Sequence, residues 1–212
     1  MAERVVVAPV GENMNALYVG MRDYPASRVI LLTSESLTKQ AELARKELEK
    51  FSIPVRIIKL HGNEWESIFE IISKISINES NNELIINTSS GDRNLQCALT
   101  SAAFVNGLKA FAVEKGETML LPILKFSYYK ILTDKKLKIL KMLYQDKTCC
   151  KSLEELSKKI KMSPPLVSYH INGTYKSEGL KSLGLIDVAE NNGKIGLTIS
   201  TLGRLLIKGY IN

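Results

Sequence analysis

The sequence predicts an α/β domain with a mostly parallel sheet, followed by a small basic domain of helices and a closing β-hairpin. Three observations carry this expectation. Short β-branched apolar runs alternate with amphipathic helical stretches over the first part of the chain, the pattern of strand-helix-strand units with right-handed crossovers and helices on both faces. Charge divides the chain: residues 1–124 hold 13 Lys+Arg against 15 Asp+Glu, net −2, and residues 125–212 hold 16 against 7, net +9. Finally, a Ser-Pro-Pro helix start at Ser163-Pro164-Pro165 closely follows a preceding helical stretch, at helix-turn-helix spacing. A chain of 212 residues with 45% hydrophobic content suits one large domain or two small ones. The charge split favours two, 1–124 and 133–212, joined by a connector over 125–132.

In the first domain, Arg4 to Val10 reads as a strand ending in Pro9-Val10-Gly11, and Asn13 to Met21 as the helix after it. Val29 to Leu32 is the second strand, with Thr33-Ser34-Glu35 at its end. A helix from Ser36 to about Phe51 places Leu37, Ala41, Ala44 and Leu48 on one stripe. Val55 to Leu60 is the third strand, and Trp65 to Ile75 a helix with Ile68, Ile71, Ile72 and Ile75 inward. Leu84 to Ile86 is a central strand, and Leu95, Ala98, Leu99 and Ala102 mark the helix that follows, ending near Asn106-Gly107. Lys109 to Val113 is the fifth strand. Glu117 to Leu124 follows it too closely for a crossover helix and is expected to hairpin back as an antiparallel edge strand, where Pro122 is tolerated.

The stretch Asn87-Thr88-Ser89-Ser90-Gly91-Asp92-Arg93-Asn94 is the leading ligand-site candidate. A polar turn between a buried strand and a helix offers unpaired N–H groups, the helix dipole, the hydroxyls of Thr88, Ser89 and Ser90, and the Arg93 guanidinium to a phosphate or carboxylate. Ligands in such sheets bind beyond the carboxyl ends of the strands. Pro9, Val10, Gly11, Asn13 and Met14, together with Thr33 and Ser34, are therefore expected to converge with residues 87–94 on one crevice. A G-x-G-x-x-G fingerprint and a G-x-x-x-x-G-K-[ST] loop are both missing, so dinucleotide and P-loop chemistry are disfavoured. No nucleophile elbow, Cys/His pair or spaced carboxylate cluster supports classical hydrolysis, and the expectation is a protein without enzymatic activity. Three cysteines, two of them adjacent at Cys149-Cys150, make no disulfide framework, and only His61 and His170 are available to complete a metal site. Without a signal-peptide pattern or membrane-spanning run, a cytoplasmic protein with reduced thiols and no metal or cofactor is expected.

In the second domain, Thr133-Asp134 opens a helix over 135–145 and Ser152-Leu-Glu-Glu155 is a capping box for the next. A reading helix starting at Ser163 then presents Pro165, Ser168, Tyr169, His170 and Asn172 to a major groove. The imidazole of His170 either meets a base or packs under the hairpin. Leu183 to Val188, then Glu190 to Lys194, then Ile195 to Ile199 reads as a hairpin with Asn192-Gly193 at its tip, a wing flanked by Lys194. Residues 172–179, including Lys176, separate this wing from the reading helix, which is expected to break at Gly173 or Gly179. Leu202 to Ile207 closes the chain as a short helix.

The turn N-T-S-S-G-D-R after the fourth strand and the C-terminal S-x-x-x-V-S-Y-H-I stretch together resemble one family over nearly the whole length. The chain resembles the CRISPR-associated CARF-domain winged-helix transcription regulators. Of a family loop that often carries Gly-Gly, a hydroxyl residue and a basic residue, it keeps Thr88, Gly91 and Arg93, replaces one glycine by serine and adds Asp92. The resemblance implies a Rossmann-like, CARF-like sheet domain followed by a winged helix-turn-helix. It also implies a homodimer that binds a cyclic oligoadenylate across its two-fold axis and adjusts its affinity for double-stranded operator DNA. Some relatives cleave the cyclic oligonucleotide through the ligand's own 2′-hydroxyl, and that ring-nuclease activity is the alternative. A regulator sensing another phosphate-bearing metabolite is the third reading.

Overall fold

A computed structural model describes residues 3–122, 131–146, 149, 152–175, 177–191 and 194–210. The chain divides into two compact units, Met1–Tyr129 and Lys130–Asn212. Of the expected connector, residues 125–130 lie outside the described residues, as do Cys150, Lys176, Asn192 and Gly193.

The first unit holds strands β1 (Arg4–Pro9), β2 (Arg28–Thr33), β3 (Val55–Lys59), β4 (Glu83–Asn87), β5 (Lys109–Glu114) and β6 (Glu117–Leu120). They form one sheet in the order β3-β2-β1-β4-β5-β6. All neighbours are parallel except β6, which runs antiparallel to β5 at the edge. Helices α1 (Asn15–Asp23), α2 (Thr38–Glu49), α3 (Glu64–Asn78) and α4 (Arg93–Asn106) alternate with the strands. β1 and β2 are buried almost throughout, because a central parallel strand is covered on both faces and its side chains have no solvent side. Val6, Ala8, Val29, Leu31, Ile85 and Phe111 form the core with Leu17 of α1 and Ala41, Ala44 and Leu48 of α2. The α4 helix ends where expected: Gly107 sits in the left-handed region (φ 66°) and its N–H bonds to the carbonyls of Ala103 and Phe104. Several boundaries differ from the sequence expectation: the edge strand, expected to run to Leu124, ends at Leu120, so Pro122 lies beyond it. The first helix begins at Asn15, and Glu35–Leu37 is a 3₁₀ turn ahead of α2.

The second unit contains α5 (Asp134–Gln145), α6 (Leu153–Ile160), α7 (Pro164–Asn172) and α8 (Thr201–Tyr210), with hairpins β7 (Gly173–Thr174)/β8 (Ser177–Glu178) and β9 (Ile186–Asn191)/β10 (Lys194–Ile199). Thr133 Oγ1 accepts from Lys136 N at 3.4 Å and Ser152 Oγ from Glu155 N at 3.2 Å, fixing the starts of α5 and α6. Leu137, Leu140, Leu156, Ile160, Val167, Ile171, Leu185 and Leu206 are buried. Cys149 is buried and disulfide-bonded while Cys97 is free and exposed, so the expectation of reduced thiols does not hold for Cys149. Cysteine spacing reports frameworks of several bridges and not a single bond. Among the described residues no helix is long and apolar enough to cross a membrane, and no His, Cys, Asp and Glu cluster matches a metal site.

Candidate functional site

The strand order reverses between β1 and β4, and the chain leaves these neighbours toward opposite faces of the sheet. The carboxyl edge at this reversal is the place where parallel sheets bind ligands. The loops after β1 and β4 cross main chain to main chain. A Cβ on Gly11 would lie 2.7 Å from Gly91 Cα and 2.8 Å from Ser90 O, and one on Gly91 would lie 3.0 Å from Pro9 Cγ. Only glycine allows this approach. Asn13 N donates to Ser90 O at 3.4 Å, Val10 N to Leu32 O at 2.7 Å, and Gln40 Nε2 to Gly11 O at 3.0 Å. The loops after β1 and β4 are thus in contact, with the end of β2 beside them.

The hydroxyls expected to face an anion are instead turned inward. Ser90 Oγ donates to Pro9 O at 2.7 Å, Thr88 Oγ1 donates to Phe111 O at 3.1 Å, and Ser89 Oγ accepts from Val113 N at 2.7 Å. All three residues are buried, as is Asn87, whose Nδ2 donates to Ala16 O at 3.1 Å and whose Oδ1 accepts from Ser89 N at 2.8 Å. The reason is general: a turn set between two packed strands must pair its own buried polar groups before it can serve a ligand. Thr33 is likewise buried, and its hydroxyl donates to Ser34 O at 3.0 Å.

What faces outward is the start of α4. Asp92 caps it, its Oδ1 accepting from Leu95 N at 2.8 Å, and the exposed Arg93 forms no ion pair among the described residues. Asn94 is tied to α3: its Oδ1 accepts from Trp65 Nε1 at 2.8 Å and its Nδ2 donates to Glu64 Oε2 at 2.8 Å. Exposed Glu12 and Glu35 follow β1 and β2 on the same carboxyl edge of the sheet from which α4 starts. Gln40, Trp65, Glu64 and Gln96, whose Nε2 donates to Gly91 O at 3.1 Å, escaped the sequence reading. Their signal was position, since the first turn after each strand end lies on the same edge.

In the second unit, Pro165, Ser168, Tyr169 and Asn172 recur at helical spacing on one face of α7, and all but the half-buried Ser168 are exposed. Asn172 Nδ2 donates to Ser168 Oγ at 3.1 Å. Ser163 stands at the N-cap in extended conformation, without a side-chain cap bond. His170 is not presented for contact. It is 5% exposed, because positions 167, 170 and 171 form the inward stripe, and neither ring nitrogen has a hydrogen-bond partner. Burial lowers its pKa, reinforced by Lys135 and Lys136 nearby. The helix breaks at Gly173 (φ 78°), and Lys194 opens β10.

The first unit is thus an α/β fold with a candidate site at its strand-order reversal, and the second is a basic helical unit. A family model described as HFX_2341_N:-like, N-terminal matches residues 4–117, which is more than half of the chain, and the chain belongs to that family. No curated protein matches it. Among solved structures, Csm6 of Enterococcus italicus bound to cyclic hexa-2'-fluoro-hexa-dAMP is similar at a TM-score of 0.51 and 14% identity, over 76% of this chain and 54% of that one. Protein VC1899 of Vibrio cholerae is similar at a TM-score of 0.51 and 14% identity, over 97% of this chain and 64% of that one. The chain therefore spans between about half and two thirds of the length of these solved chains, with which it shares a fold.

Proposed function

We propose that the protein is a cytoplasmic, ligand-responsive, DNA-binding regulator that senses a cyclic oligoadenylate and controls CRISPR-associated genes. The observation that carries this reading is one chain joining a switch-point crevice to a basic helical unit with an exposed polar helix face. The fold shared with a protein solved on a cyclic hexa-adenylate analogue supports the ligand class. Arg93 and the amino end of α4 bind phosphate, and the rim carboxylates of Glu12 and Glu35 accept from ribose hydroxyls or adenine amino groups. Gly11, Gly91, Thr88, Ser89 and Ser90 hold the crevice in shape. In the second unit, α7 reads the major groove through Ser168, Tyr169 and Asn172, and the β9/β10 hairpin serves as the wing, with Lys176, Asn192 and Lys194 on phosphates.

One winged helix makes too few base contacts for useful specificity, so the working form is a two-fold dimer with half-sites about 34–36 Å apart or a multiple of that. A symmetric ligand then touches both crevices. Linkage requires ligand and DNA to change each other's affinity by one factor, typically about 5–150-fold. Titrating duplex DNA into the full chain, with and without saturating cyclic tetra- or hexa-adenylate, tests this. The expected result is two separated curves whose affinities fall with salt at a log–log slope of about −0.9 per phosphate neutralised. Superimposed curves, or a monomer at working concentration, end the regulatory reading. Linear products after incubation with the cyclic compounds replace it with the ring-nuclease reading.

A further inference from the structure

Residues 173–179, inserted between the reading helix and the wing, form a hairpin built with more care than a surface loop needs. Gly173 pairs with Glu178 and Thr174 with Ser177, leaving two residues for the tip. The neck is pinched. A Cβ on Gly173 would lie 2.4 Å from Gly179 N, and one on Gly179 would lie 2.3 Å from Ile171 O, so two stretches of bare main chain pass each other where α7 ends. The returning strand is then bonded back to the helix it left: Leu180 N donates to His170 O at 2.9 Å and Lys181 N to Ile171 O at 3.0 Å. A third restraint comes from α5. Lys136 is only 3% exposed, and its Nζ donates to Glu178 O at 2.5 Å.

Burying an ammonium group is costly and is tolerated where its hydrogen bonds fix a specific arrangement. Here the arrangement fixed is a two-stranded arm continuing beyond the carboxyl end of α7. Its tip bears Tyr175, which is fully exposed, at 110% relative exposure. A two-stranded ribbon in isolation is marginally stable, so the glycine neck and the Lys136 clamp are what hold this tyrosine at a set place.

We infer that this arm is a second DNA-contacting element, with the Tyr175 hydroxyl donating to a backbone phosphate while α7 lies in the groove. The inference rests on the DNA-binding reading above. Three features favour a nucleic-acid backbone over a protein surface. The arm carries no apolar side chain except the tyrosine ring, whereas a protein interface needs a contiguous apolar centre. It follows directly on the end of α7 in a unit of strongly positive charge. A single hydroxyl at the end of a stiff arm suits a contact that sets register and not one that reads sequence.

The test uses the full chain and a labelled mixed-sequence duplex at low salt. Tyr175→Ala and Tyr175→Phe should each weaken binding about tenfold, the loss of one hydrogen bond to a charged acceptor, with the ranking of sequences unchanged. Lys136→Met, which removes the clamp without stranding a charge, should weaken binding in the wild-type background and have no further effect in Tyr175→Ala. Melting curves with an intact second-unit transition keep the comparison clean. Wild-type binding that survives Tyr175→Ala unchanged overturns the arm and leaves the regulator reading standing. Additive effects of Lys136→Met and Tyr175→Ala overturn the positioning role of Lys136. Failure of the wild-type chain to bind any duplex overturns both readings, whereas a Tyr175→Ala defect that appears only in capture of a protein overturns the arm alone.

Discussion

In the first unit the polar side chains beside the crevice are turned into the protein, whereas in the second unit the polar side chains of α7 and its arm point away from it. Asn87, Thr88, Ser89 and Ser90 all bond main-chain groups of α1, of neighbouring strands or of their own turn. Tyr169, Asn172 and Tyr175 are exposed, and among the described residues their one side-chain hydrogen bond runs from Asn172 to Ser168. The contrast teaches that a polar turn at the end of a buried strand is first a solution to burial. Its ligand-binding capacity lies in what remains, here the helix start and Arg93. A polar stripe on an exposed helix has no such prior duty.

The sharpest way to break this comparison is to disturb the crossing of the two crevice loops. Gly11→Ala places a methyl group against Gly91 and Ser90 and should cost about 1–3 kcal/mol of first-unit stability. The chain has one tryptophan, Trp65, on α3 of the first unit, so its fluorescence during urea unfolding follows that unit alone. An unchanged transition would mean that the loops can part without penalty. Gly173→Ala, at a left-handed position in the second unit, should leave the tryptophan transition where it is.

Arg93→Ala should weaken cyclic oligoadenylate binding by a similar 1–3 kcal/mol, or about 5–150-fold, without altering the fold, because the exposed side chain forms no ion pair or hydrogen bond among the described residues. Calorimetry showing equal affinity would remove it from the site. The two units should also separate on acidification. The pKa of His170 is lowered from 6.5 by burial, so the unfolded second unit takes up a proton that the folded one resists. Its stability should therefore fall as pH drops below about 6.5. In the first unit, Glu79 is held below the usual carboxylate range by hydrogen bonds from Asn82 and Arg28, and Glu83 by Lys109 and Arg4. Their contribution is present above the ordinary value of 4.5 and is lost only as pH falls through their lower folded values. Tryptophan fluorescence should hold to lower pH than far-ultraviolet dichroism of the whole chain, and His170→Leu should narrow the gap. The smallest effect expected is at Asp92. Asparagine caps a helix as well as aspartate, so Asp92→Asn should shift stability by no more than about 0.5 kcal/mol while leaving ligand affinity equal or slightly tighter. A marked loss of affinity would give the carboxylate a direct role.

Strand order aside, the first unit was legible because its helices and strands announce themselves by period: Leu37, Ala41, Ala44 and Leu48 every third or fourth residue, and Val5 to Val7 without a polar break. The edge strand was legible from the short Lys115-Gly116 turn. The orientation of the hydroxyls was not, because a turn sequence is the same whether its side chains face a ligand or a neighbouring strand. Nor was Trp65 at the crevice rim, since nothing in the α3 sequence reports that its first turn meets the first turn of α4. The burial of His170 was within reach: it sits three residues after Val167 and one before Ile171, on the inward stripe. The small hairpin at 173–178 was seen only as a break, because strands of two residues leave no alternation to detect.

The bond from Val113 to Ser89 carries a consequence of its own. β4 pairs with β5 through Asn87, and beyond that point Thr88 and Ser89 supply hydroxyl oxygens as well as main chain to continue the seam. Where a ladder is normally closed by carbonyls, which no substitution can delete, this one is fastened at its last rung by a removable side chain. The Val113 amide should therefore exchange with solvent deuterium on a timescale of its own, faster than the main-chain rungs below it and slowed by anything that stills the turn. That single amide makes the seam between β4 and β5 a built-in gauge of how firmly the turn after β4 is held.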